Sequence, residues 1–197
     1  MMGNIGDMLG LNRTVEKRLR TWIRIYREYF DLEADFSGIT VPKYPRDGRK
    51  YWLIAVPLGI SLSAVFGVCR EYFNAGERIG GDFGDIADNP KEVPYAVWVE
   101  ISPNPEEIPE GAYAVKDYEI TLMVRLLMEI LYHMKRTGNK NNFPHECLDT
   151  TGATLCWGSR FSDGDCPVVC TFGSCMTIVK CDPEEKIPIL GLRKIAV

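Results

Sequence analysis

Residues 153–181, ATLCWGSRFSDGDCPVVCTFGSCMTIVKC, decide the class of fold. Two turn signals, Ser162-Asp163-Gly164-Asp165 and Gly173-Ser174, divide the stretch into strand-like runs at 153–161, 166–172 and 175–181. Asp-Gly and Gly-Ser pairs favour the tight turns of antiparallel hairpins, because glycine accepts positive φ without a steric penalty. The spacing therefore predicts a three-stranded meander. With Gly173-Ser174 as a two-residue turn, Phe172 faces Cys175, Cys170 faces Thr177 and Cys166 faces Cys181. Side chains alternate across a strand, so Cys166, Cys170, Cys175 and Cys181 share one face of the hairpin.

Before the meander, LMVRLLMEILYHM within 121–137 is apolar almost all round, with a narrow polar stripe of Arg125, Glu129, His133 and Arg136. Such a helix is buried on most sides, in a core or at a subunit interface, and Gly138 supplies its stop. His133, near the helix end, is expected at the surface, with Glu129 one turn away to orient it. Residues 51–69, YWLIAVPLGISLSAVFGVC, carry no charge and approach the length of a membrane span. Pro57, Gly59, Ser61 and Ser63 break the run, which reads instead as a strand (51–56), a turn and a helix capped by Ser61 or Ser63. Residues 95–101 alternate as a strand, and 76–94 and 102–119 read as loops.

At the other end, Val15, Leu19, Trp22, Ile23, Tyr26 and Phe30 recur at helical spacing, and the opposite face is mostly Arg and Lys. The chain thus divides into an N-terminal arm, 1–36, whose amphipathic helix spans 14–30; a linker, 37–50, rich in Pro, Gly and charge; and a body, 51–197. Truncation before about residue 40 is expected to leave the body folded. The expected architecture is α+β: one mixed sheet in the order β-α-β-α-β-β-β, its first β-α-β a possible parallel crossover, with helices chiefly on one face.

The 197 residues are 46% hydrophobic and 25% charged, which is ordinary for a globular domain. The net charge is −4, but residues 1–30 carry six basic and three acidic groups, so the remainder is −7. Nucleic-acid affinity comes largely from neutralised phosphates, and an acidic body argues against it. Membrane attachment is disfavoured too. The opening MMGNIGDMLGLN lacks the basic start and apolar run of a secretory signal. Seven cysteines, an odd number, then speak for reduced thiols and a cytoplasmic protein.

Four cysteines on one face could hold zinc tetrahedrally. However, the intervals Cys166-x3-Cys170-x4-Cys175-x5-Cys181 lack the Cys-x2-Cys knuckle that aims two sulfurs at one ion. The expectation is core packing with no cofactor, with a zinc-stabilised binding module as the alternative and Cys166–Cys181 as the pair to oxidise. His145-Glu146-Cys147 places a histidine two residues from a thiol, which is not triad geometry. Asp82-Phe83-Gly84 matches a kinase motif in letters only, since the accompanying motifs are missing. The turn that gathers Arg160, Asp163 and Asp165 is the best candidate for anion or cation binding, although Asp and Gly also suit a tight turn. No catalytic pattern emerges. The reading is a non-enzymatic cytoplasmic interaction or accessory protein that meets a protein partner or pairs with itself. The alternative is a small enzyme of undetermined reaction with a cleft near Arg160–Asp165.

Overall fold

A computed structural model describes residues 13–73, 75–77, 85–87, 93–102, 106–107, 119–138, 147–149, 152–172, 175–183, 185 and 190–197. In chain order the elements are α1 (Arg13–Phe30), β1 (Tyr51–Val56), α2 (Leu62–Phe73), β2 (Gly76–Glu77), β3 (Tyr95–Glu100), β4 (Glu106–Glu107), α3 (Leu122–Thr137), β5 (Ala153–Leu155), β6 (Cys166–Phe172), β7 (Cys175–Cys181), β8 (Leu190–Leu192) and β9 (Ile195–Ala196). The class is α+β.

The strands form two sheets where the sequence suggested one. The smaller has the order β1-β3-β9 and the larger, which is mixed, β2-β7-β6-β5-β8-β4. β1 and β3 are antiparallel, with Tyr51 opposite Glu100 and Val56 opposite Tyr95, not partners in a parallel crossover. The chain leaving α2 explains this. It first lays β2 parallel to β7 in the larger sheet, Gly76 opposite Thr177, and reaches β3 only afterwards. The C-terminal segment also divides itself, since β8 pairs with β5 while β9, three residues on, pairs with β3. Strands of two or three residues carry too little alternation to be read from sequence.

The hairpin has the predicted register: Cys166 faces Cys181, Cys170 faces Thr177 and Phe172 faces Cys175. Gly173 and Ser174 lie outside the described residues. β5 is shorter than the predicted 153–161, because the chain turns at Trp157-Gly158. One face of the hairpin, Val169, Met176 and Ile178, enters the main core. The other joins Ala153, Leu155, Leu190 and Leu192 in a second, smaller core.

α3 begins at Thr121, whose hydroxyl accepts from the Val124 amide at 3.2 Å, and stops at Gly138, in the left-handed region at φ 77°. Twelve of its sixteen residues are buried, because it touches β1 of one sheet, β6 of the other and both remaining helices. Its apolar faces are therefore covered within the chain itself. Residues 51–69 form β1, a turn with Gly59 at φ 84°, and α2, which Ser61 caps by accepting from the Ala64 amide at 3.1 Å. No described helix is long and apolar enough to cross a membrane.

α1 buries Val15, Leu19, Trp22, Ile25, Tyr26 and Tyr29, while Ile23 and Phe30 sit at the margin. The buried face is thus rotated slightly from the predicted one. Trp22 Nε1 donates to the Leu53 carbonyl at 2.7 Å and the Tyr26 hydroxyl to the Ala55 carbonyl at 2.9 Å. The helix and the body share one hydrophobic core.

Candidate functional site

The residues that the sequence singled out are brought together only in part. Cys166, Cys170 and Cys181 are buried on the second-core face and Cys175 is half-buried. Among the described residues, no three His, Cys, Asp or Glu side chains are grouped to hold a metal. Burial pushes the Cys166 thiol up to about 12 against the lowering influence of Arg160, and pushes Cys147 up to about 11 with help from Glu129. Burial raises Cys69 and Cys181 as well. Protonated thiols are weak nucleophiles. His145 and Glu146, like Asp82-Phe83-Gly84, lie outside the described residues.

Arg160 is engaged by its own turn. Its Nη1 donates to the carbonyls of Trp157 and Ser159 at 2.5 and 3.1 Å and contacts Cys166 Sγ, and the guanidinium lies 3.8 Å over the Trp157 ring. Asp163 pairs with Lys180, and Asp165 stands 3.6 Å from the same ammonium. Lys180 also lies 5.2 Å over Phe161. The turn thus clamps the neighbouring strand with the groups that the sequence offered for ligand binding.

Glu129 and His133 lie in the core, not at the surface as expected of His133. The His133 ring packs against Phe73, and its Nδ1 is 2.9 Å from the Tyr29 hydroxyl. Glu129 belongs to a buried ionic network. Arg125 Nη1 donates to Glu129 at 2.8 Å, while Nε and Nη2 donate to Asp149 Oδ2 at 3.3 and 3.0 Å. Arg193, between β8 and β9, donates to Asp149 Oδ1, to the Thr154 hydroxyl at 3.2 Å and to the carbonyls of Glu100 and Ser102 at 3.2 and 2.9 Å. It therefore pins the two sheets together. Burial opposes the charge on Arg125, yet Asp149 and Glu129 raise its pKa above the usual guanidinium value. Burial likewise opposes the Asp149 carboxylate, but Arg125 and Arg193 hold it below the usual range. The network joins the structure and offers no open face to a substrate.

An open site lies elsewhere. A groove of about 450 Å³ runs between α1, the start of β1 and the end of α3. Thr14, Lys17, Arg18 and Thr21 face it from α1, at the i, i+3, i+4, i+7 spacing of one helix face. Leu131 and Lys135, one turn apart, face it from α3; Lys50, Trp52 and Tyr44 close the third side. The Trp22–Leu53 hydrogen bond fixes α1 against β1 and so sets the groove's width. Tyr44 is 44% exposed, so one aromatic ring is open beside the cations, while half-buried Trp52 packs against the Tyr132 ring.

The described lining of the groove is cationic, with the Asp47 carboxylate just outside it on the Tyr51 hydroxyl at 2.7 Å and Arg18 Nη1 donating to the Tyr51 carbonyl at 3.4 Å. It contains Lys17, Arg18, Lys50 and Lys135 and no carboxylate. None of the four forms a salt bridge among the described residues. Elsewhere on α1, Arg20, Arg24 and Arg27 pair with Glu16, Glu28 and Glu33. Arg18 lies 4.9 Å over Trp98 and Lys135 5.5 Å over Trp52. The Lys135 pKa is lowered, first by burial and then by the like charges of Arg18 and Lys17. The basic face of α1 was legible in the sequence, and the 14-17-18-21 spacing could have singled out this quartet. Nothing in the sequence places Lys50 or Lys135 beside it. No family model, curated protein or solved structure gives a significant match to this chain.

Proposed function

We propose that this is a non-enzymatic cytoplasmic interaction protein that works by holding an anionic group in the groove between α1, β1 and α3. One observation carries the reading: four cations converge on a groove whose described lining has no carboxylate. Lys17, Lys50 and Lys135 are exposed, so their mutual repulsion is screened but not abolished, and a bound anion relieves it. The absence of a catalytic role is supported by the state of the reactive side chains. Glu129 and Asp149 are buried on Arg125, His133 is buried against Tyr29 and Phe73, and burial raises the pKa values of the described thiols Cys69, Cys147, Cys166 and Cys181. A cytoplasmic setting is supported by seven cysteines, none of which is in a disulfide.

The test is isothermal titration of the full chain with inorganic pyrophosphate at low ionic strength, where exposed charges are least screened. Saturable binding that weakens on adding salt, and weakens again in a Lys17→Ala, Lys135→Ala double variant, supports the proposal. No heat of binding at millimolar pyrophosphate overturns it.

A further inference from the structure

We infer that the groove takes a nucleoside polyphosphate, its phosphates on Lys17, Arg18, Lys50 and Lys135 and its base against the exposed ring of Tyr44. The inference rests on the anionic-ligand reading and adds the class of ligand.

Charge argues first. A carboxylate neutralises one cation, and a phosphate monoester carries about two negative charges at neutral pH, so four cations match a chain of two or more phosphates. Composition argues second. An anion-binding groove needs no aromatic wall, yet Tyr44 stands in the same lining as the lysines and is 44% exposed, its ring meeting Tyr51 and Trp98 edge-on, whereas Trp52 is packed against Tyr132 and lies under Lys135. Every nucleobase has a π face that stacks on an exposed ring, whatever its hydrogen-bonding edge. Size agrees as well, since about 450 Å³ falls within the range of small-molecule sites.

The lining also sets how selective the site is. Its described hydroxyls are those of Thr14, Thr21, Tyr44 and Tyr51. Thr21 already donates to the Lys17 carbonyl at 3.1 Å, Tyr44 to the Arg49 carbonyl at 3.4 Å, and Tyr51 to Asp47 at 2.7 Å. Few groups are left to read a base edge, so discrimination among bases follows stacking strength, purines above pyrimidines.

The experiment titrates the full chain with ADP, inorganic pyrophosphate and adenosine in one low-salt buffer. ADP binding at least about tenfold tighter than pyrophosphate is expected, from the added stacking. Tyr44→Ala is then titrated with ADP and with pyrophosphate. Loss of the ADP advantage in this variant, read as the ratio of its ADP affinity to its pyrophosphate affinity, supports the inference, an advantage kept at its wild-type size overturns the stacking role, and an unchanged thermal midpoint by circular dichroism shows that the variant is folded. Equal affinity for ADP and pyrophosphate in the wild type overturns the nucleotide inference while the anionic-ligand reading stands. Adenosine binding as tightly as ADP overturns the role of the phosphates. If neither ADP nor pyrophosphate binds, both the reading and the inference fall.

Discussion

Replacing Asp149 with alanine removes the acceptor that two buried guanidiniums share. Its Oδ2 takes Arg125 Nη2 at 3.0 Å and the Thr154 hydroxyl at 2.6 Å, and its Oδ1 takes Arg193. Arg125 and Arg193 are each 1% exposed, so neither can turn to water when the carboxylate goes. Arg125 would keep Glu129; Arg193 would keep the Thr154 hydroxyl, two main-chain carbonyls and only the electrostatic influence of Glu100 in place of its hydrogen-bonded counter-charge. Breaking a buried ion pair by removing one partner costs about 3–5 kcal/mol, against a total stability of about 5–15 kcal/mol. With a urea slope of about 2 kcal/mol/M, the unfolding midpoint should fall by roughly 1.5–2.5 M. Asp163→Ala, which removes an exposed partner of Lys180, should leave the midpoint within error of wild type. The Asp149 pKa lies below its unfolded value, so its contribution is fully present above the unfolded pKa and is lost as pH falls through the folded one. The gap between wild type and Asp149→Ala should therefore narrow below about pH 4. A midpoint shift under about 0.5 M at neutral pH, or a gap that widens in acid, would refute the reasoning.

Two further outcomes follow from the packing. A chain starting at residue 40 should lack a cooperative thermal transition by circular dichroism, because Leu19, Trp22, Ile25 and Tyr26 leave the core together; a sharp transition would show that the body folds alone. Thiol labelling of the native protein should be slow at all but the half-buried Cys175, with all seven cysteines reacting in urea. Fast labelling of Cys166 or Cys170 without denaturant would mean that the second core opens.

The parts of the fold legible in the sequence are those with local signatures. The β6–β7 register followed from one turn and a period of two, and Thr121 and Gly138 marked the ends of α3. What stayed hidden depended on distant partners. β2, β4, β8 and β9 are strands only because a neighbour accepts their amides, and the second sheet exists through such pairings. Arg125, Glu129 and His133 read as a polar stripe on a mostly buried helix, with His133 expected at the surface, because nothing local shows what such a stripe meets. Here Asp149 and Arg193, 24 and 68 residues downstream of Arg125, make burial tolerable. The aspartates of 163–165 misled for the opposite reason: their partner, Lys180, comes from the adjacent strand.

The groove draws on four separate stretches of chain, so its charge is visible only once they meet. That charge runs against the rest of the molecule. A protein with 27 acidic residues against 23 basic ones does not lack carboxylates, and Arg20, Arg24 and Arg27 on the same helix each have one. Folding alone would favour the same treatment of Lys17, Arg18 and Lys135, because unpaired like charges oppose the compact state. Sites shaped for ligands commonly trade stability in this way. Lys135→Met tests the trade directly. Its flexible apolar side chain preserves most of the packing of the lysine stem and removes the charge, whose pKa is lowered by burial and by Arg18 and Lys17. Without ligand, the variant should melt above wild type by differential scanning calorimetry, even after losing the contact with Trp52. With saturating pyrophosphate the order should reverse, because a ligand stabilises only the form that binds it. A Lys135→Met protein that melts below wild type without ligand would mean that the cation–Trp52 contact outweighs the repulsion, and that the cluster needs no anion to explain it.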